Sequence, residues 1–201
     1  MTEAVRTLEI SLPPDSLAIF FPLFQDGVEL EVRVGVTIKQ LLVDQFGIDL
    51  DYLAGRITTI FLNGKTVDDT ATAVLHDGSV LALSGAMPGL VGATLRTGSF
   101  YAAMRGSQTY VAEGEGSGLM PGCIKIKLFN LLLQELGPHL LQHGILLSGP
   151  QLQSLFSAKN ASLLLKDCRI EGEKIMAYHL QKMGLFEDDK RWVKLKINCG
   201  D

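Results

Sequence analysis

The sequence predicts an α+β fold. It comprises a mixed sheet with one clasped helix over residues 1–92, a glycine-rich connection over 93–118, and a C-terminal α+β part over 119–201. Three observations predict it. Apolar and charged residues alternate in short runs, most cleanly where Val28, Leu30, Val32 and Val34 interleave with Glu29, Glu31 and Arg33, the pattern of a strand with one face buried. Thr37-Ile-Lys-Gln40 is a capping box and opens a helix over 37–46. Asn63-Gly64 and Asp77-Gly78 supply the positive φ that tight turns between strands require.

The remaining elements follow in order. Thr7 to Leu12 alternates as a strand and stops at Pro13-Pro14, and an apolar loop with Phe20, Phe21 and Phe24 leads to Gly27. Ile38, Leu41, Leu42 and Phe46 form the buried stripe of the helix, with Gly47 closing it. Strands are expected at 57–62, 65–67 and 79–84. Beyond Gly85 a weaker strand is read at 108–112 and a linker at 113–118. Ile124-Lys-Ile-Lys reads as a strand, Leu128–Leu136 as a helix broken at Gly137-Pro138, and His139–His143 as a second helical piece. Gln151–Lys159 and Glu171–Met183 read as helices, Leu163–Ile170 as a strand, and Trp192–Ile197 as the last strand. No internal repeat is read; the one echo is Glu171-Gly172-Glu173 against Asn63-Gly64-Lys65.

Composition excludes several function classes. A formal charge of −4 is too mild to imply a nucleic-acid or membrane partner. Residues 1–84 hold 12 acidic against 5 basic side chains, and residues 85–201 hold 10 against 13, so the acidity lies in the first part. Cys123, Cys168 and Cys199 are odd in number and far apart, which fits neither a disulfide framework nor a metal-ligand spacing. The N-terminal residues lack a signal peptide's apolar core, so a cytoplasmic setting is expected. Gly78 to Leu95 runs 18 residues without a charge, but the strand at its start and Pro88 among Gly85, Gly89 and Gly92 argue against a membrane span.

The order strand, strand, helix, strand, with Leu62-Asn63-Gly64-Lys65, Val67-Asp68-Asp69 and Leu75-His76-Asp77-Gly78-Ser79-Val80, resembles the β-grasp (ubiquitin-like) fold over residues 7–92. The nearest pattern within it is that of the small sulfur carriers, the molybdopterin synthase small subunit and the thiamine-pathway carrier. That resemblance implies a chain ending in Gly-Gly whose carboxylate is activated. Here Gly89-Leu90-Val91-Gly92 stands at that place and more than a hundred residues follow, so the intact chain has no carboxylate there to activate.

Candidate chemistry is sparse. His139 and His143 have the i, i+4 spacing of a metal pair, yet no third ligand stands at a fixed distance, and helix-end histidines explain them. Asp68-Asp69 and Glu187-Asp188-Asp189 read as solvated turns. Of the cysteines, Cys199 is the one expected to react. No catalytic residue, cofactor or metal is assigned. The segment 85–105 is the functional candidate, with Met87, Gly89, Leu90, Val91, Gly92, Arg96, Tyr101 and Arg105 as a contact surface, since glycines permit close approach and Arg and Tyr favour recognition. The expected function is a non-catalytic interaction module that binds a protein partner or a second copy as a homodimer. The alternatives are an accessory relative of the sulfur carriers, and an enzyme using His139, His143 and Arg96 in a site assembled from both halves of the sequence.

Overall fold

The computed structural model describes residues 6–86, 89–100, 105, 109–110, 118–156, 164, 167–175 and 192–199. The fold is α+β. Its contacts divide the chain into two units, residues 29–133 and residues 1–28 together with 134–201. This differs from the expected boundaries at 92 and 118, and the reason lies in how the strands pair.

The unit of residues 29–133 contains β2 (Val28–Val34), β4 (Thr59–Leu62), β5 (Lys65–Thr66), β7 (Val80–Ser84) and β8 (Met120–Phe129), in the order β2-β8-β7-β4-β5. β7 and β8 run parallel, with Leu81 beside Ile126 and Leu83 beside Leu128, and β4 is antiparallel to both β7 and β5. A separate ribbon joins β3 (Val36–Thr37) to β6 (Val74–Leu75). The Thr37 capping box forms as expected and starts α2 (Ile38–Gln40), which passes into a π-helical turn, Leu41–Gln45. Val32, Ile38, Leu41, Leu42, Ile60 and Leu83 are all buried. Two helices go beyond the expectation. Asp49 caps α3 (Leu50–Arg56) by accepting from the Asp51 and Tyr52 amides, and α4 (Gly89–Leu95) forms despite its glycines.

The other unit is made from both ends of the chain. β1 (Arg6–Leu12) lies parallel to β12 (Trp192–Cys199), Leu8 beside Leu195 and Ile10 beside Ile197. On its other side β1 is antiparallel to β10 (Cys168–Ile170), which turns into β11 (Glu173–Lys174), while β12 is antiparallel to β9 (Ile145–Ser148). The strands expected within residues 7–84 belong to one large mixed sheet, but strands from the C-terminal part enter it: β8 is the parallel neighbour of β7, and β12 that of β1. An alternating strand offers the same backbone edge to any partner of matching pattern, so alternation fixes a face and not a neighbour.

Helices also belong to this unit. The stretch read as an apolar loop is a 3-10 helix, Pro14–Phe20, running into α1 (Phe21–Asp26), with Phe20 and Phe24 fully buried. α5 (Leu132–His143) continues through Gly137-Pro138, where a break was expected. An internal proline costs about 3 kcal/mol. Burial of Leu136, Leu140 and Leu141 along the helix offsets that. At Gly137 an added Cβ would stand 3.6 Å from the Phe24 ring, so the glycine gives the helix close approach to α1. Ser148 and Gln151 form a second capping box ahead of α6 (Gly149–Leu155). The helix expected at 171–183 begins instead as the β10–β11 turn, and from residue 176 it lies outside the described residues, as do the linker at 113–117 and the acidic cluster at 187–189.

The two units repeat one arrangement, which corrects the reading of no repeat. In each, a parallel pair at the centre carries the alternation apolar-Lys-apolar-Lys-apolar, Ile124 to Leu128 in one and Val193 to Ile197 in the other. In each, a hairpin turns through a non-glycine and a glycine at positive φ, Asn63 (51°) with Gly64 (80°), and Glu171 (49°) with Gly172 (82°). The polar details match as well. The Val80 amide donates to Asn63 Oδ1 at 2.8 Å and the Thr7 amide donates to Glu171 Oε1 at 2.6 Å. The Val67 amide donates to the Ile60 carbonyl, and the Ile175 amide to that of Cys168, both at 2.9 Å.

Candidate functional site

The segment 85–105 is held in place from its buried side. Arg105 is 6% exposed, and its Nη1 donates to both carboxylate oxygens of Asp68 at 2.8 Å. Its Nε and Nη2 donate to the carbonyls of Thr94 and Arg96, where α4 ends. A helix end leaves its last carbonyls without intrahelical partners and attracts positive charge, so one guanidinium meets both demands. The same turn is stitched further. Gly98 donates from its amide to Asp68 Oδ1 at 3.0 Å, and the Thr97 amide donates to the Thr58 carbonyl at 2.8 Å. Asp68 is thus not the solvated turn residue expected, and Arg105 is a clamp rather than a contact side chain. Asp69 closes its own turn by accepting from the Ala71 amide at 2.8 Å.

The outward side of the segment is different. Leu90 and Val91 on α4 are 65% and 67% exposed, and Phe100 is 94% exposed. Gly89 opens the helix at φ 79°, while Gly92 is buried beneath it. Arg96, also exposed, borders a cleft of about 440 Å³ with Lys39, Leu50, Leu53, Ile57 and Asp69. Met87 and Tyr101, the two other expected contact residues, lie outside the described residues. Sequence reasoning missed Asp68 and Lys39 as parts of this region, because their neighbours here lie tens of residues away along the chain.

The histidine pair is present as a local feature. His139 and His143 rings stand 4.9 Å apart by centroid, and His143 Nδ1 lies 3.3 Å from the His139 carbonyl. Among the described residues there is no group of three or more His, Cys, Asp or Glu side chains that could hold a metal ion. Nor, among them, is any helix long and apolar enough to cross a membrane.

Cys123 is suppressed as a nucleophile. Burial, then the charge and hydrogen-bonding of Glu29 and the charges of Asp77 and Glu31, push its thiol up from 9.0 to about 12. Burial and the Asp167 charge raise Cys168 to about 11. Since the thiolate is the nucleophile, alkylation of Cys123 at pH 8 is expected to run roughly a thousandfold slower than that of a free cysteine. Cys199, which is partly exposed, should be labelled first. Mass spectrometry of time points with iodoacetamide checks this, and early labelling of Cys123 would contradict it. The raised value also favours the folded state only while the thiol is protonated. The stability lost in Cys123→Ala should therefore be full below pH 9 and shrink as pH rises from 9 toward 12.

No family model, no curated protein and no solved structure matches this chain.

Proposed function

We propose that the chain is a non-catalytic interaction module that binds a protein through the outward face of α4, with a second copy of the chain as the first partner to test. One observation carries the reading: Leu90 and Val91 stand exposed side by side on a helix whose C-terminal end is pinned by Arg105, itself held by Asp68. A fixed helix spends little ordering entropy on binding, and adjacent apolar side chains on it gain by being covered. Phe100, close in sequence, is exposed as well.

We also propose that residues 29–133 form a β-grasp domain in which β8 replaces the usual first strand. Supporting this are the parallel pair β7 and β8 at the centre of the order, the hairpin β4–β5 beside it, and the capped helix after β2. In this reading Gly89, which stands with Gly92 where a sulfur carrier's tail would be, opens the helix of the contact surface, and Gly92 lies on its buried side.

The test is the variant Leu90→Asp. If a second copy covers α4, the variant keeps the wild-type circular dichroism spectrum but elutes as a monomer in size-exclusion chromatography with light scattering. An unpaired charge in a fully desolvated contact costs about 3–5 kcal/mol, enough to dissociate a micromolar dimer at working concentrations. A wild type that is monomeric throughout the micromolar range rules out the second copy as partner.

A further inference from the structure

We propose that the cleft beside Arg96 is a binding site for a small amphipathic anion, a carboxylate with an apolar tail, independent of the α4 contact. Its volume of about 440 Å³ lies within the range of small-ligand pockets. One wall is apolar, made by Leu50, Leu53 and Ile57 together with Ile60 at the start of the sheet. Leu50 is 49% exposed, so a large aliphatic side chain stands half open at the cleft. The polar part of the lining carries Lys39, Arg96 and Asp69.

Charge decides the class of ligand. Asp68 also borders the cleft, but its carboxylate is already engaged by both contacts from Arg105, and its charge is offset there. Asp69 remains, against Lys39 and Arg96. Neither of these two cations forms an ion pair among the described residues. The rim is therefore net positive beside an aliphatic wall. An anionic head on the rim with a hydrocarbon tail on Leu50, Leu53 and Ile57 meets both surfaces, whereas a cation or a wholly polar solute meets at most one. The site is also framed by fixed backbone. The Lys39 amide donates to the Thr70 carbonyl at 3.0 Å, and the Thr97 amide to that of Thr58, so the rim residues are tied to the loops that face them.

The experiment is a titration of the full chain with octanoate, followed by amide chemical shifts. Octanoate should produce saturable shifts at Leu53, Ala54, Ile57 and Thr97. The variants Arg96→Gln and Lys39→Gln, both at exposed positions, should melt like wild type and each weaken binding by about tenfold. Octylamine and octanol, with the same tail, should not compete. The proposal is overturned if octanoate up to about 10 mM leaves these amides unmoved, if both variants bind as wild type does, or if octylamine binds equally well. The Leu90→Asp variant should bind octanoate normally, so loss of the α4 contact and absence of this site give separate readouts.

Discussion

A fragment of residues 119–201 is expected to stay unfolded in isolation, and addition of a peptide spanning residues 1–28 is expected to fold it. The fragment contains β9 to β12 but lacks β1, the strand that lies between β10 and β12. Without it, Leu195 and Ile197 on β12 and Cys168 on β10, all fully buried in the whole chain, lose their neighbour. The peptide itself would bury Leu8, Ile10, Leu12, Phe20 and Phe24. Each large apolar side chain buried contributes about 1.5–3 kcal/mol, so five of them, about 7.5–15 kcal/mol, are comparable with the 5–15 kcal/mol of net stability typical of a domain. Residues 27–133 should behave oppositely, since β2, β4, β5, β7 and β8 are all within them. Circular dichroism and thermal melts of both fragments decide the matter. A cooperative melt from residues 119–201 alone would show that β1 is dispensable.

Arg105→Ala is expected to destabilise the unit of residues 29–133 by about 3 kcal/mol, near the lower end for breaking a buried ion pair because the Asp68 side chain keeps 34% of its exposure. The substitution removes a donor from three groups at once, the Asp68 carboxylate and the carbonyls of Thr94 and Arg96, while the Gly98 amide still donates to Asp68 and the Ser99 amide to the Arg96 carbonyl. Arg105→Lys should recover only part of the loss. A lysine ammonium is a point donor on a flexible stem and lacks the planar fork that reaches a carboxylate and two carbonyls together. Urea melts of both variants measure this. A cost within 0.5 kcal/mol of wild type, the usual range for a surface change, would mean that the clamp carries no stability.

The legible parts of this fold were local. Thr37 and Gln40, Asn63 and Gly64, and the alternation of Val28 to Val34 act over a few residues, and each formed as the pattern implied. α3 had a signal that went unread, Asp49 ahead of Leu-Asp-Tyr, which is an N-cap without its usual partner three residues on. The helical turns after Pro14 lack a clear 3.6-residue period, because Phe20, Phe21 and Phe24 belong to two short helices of different pitch. What the sequence could not carry was partner choice. The runs Ile124 to Leu128 and Val193 to Ile197 are nearly interchangeable, yet one pairs with β7 and the other with β1. The candidate site failed to show for a related reason. Asp68 and Arg105 stand 37 residues apart, and nothing in either stretch announces the other. Leu90 and Val91, by contrast, are exposed.

The pairing of β1 with β12 also sets an order in time. During synthesis Leu12 leaves the ribosome some 180 residues before Trp192, roughly 10–40 s at about 5–20 residues per second. Meanwhile residues 29–133 have β4, β5, β7 and β8 in hand with β2, while β1 must wait for β12. A waiting strand with Leu8, Ile10 and Leu12 on one face invites pairing with a neighbouring nascent chain. The residues around that face answer the hazard. Arg6 and Glu9 put opposite charges on the strand, and Pro13 with Pro14 ends it abruptly, features that discourage extension of a stray sheet. Such a chain is built to hold its opening segment in reserve, and crowding on the polysome is the condition under which that reserve would be tested.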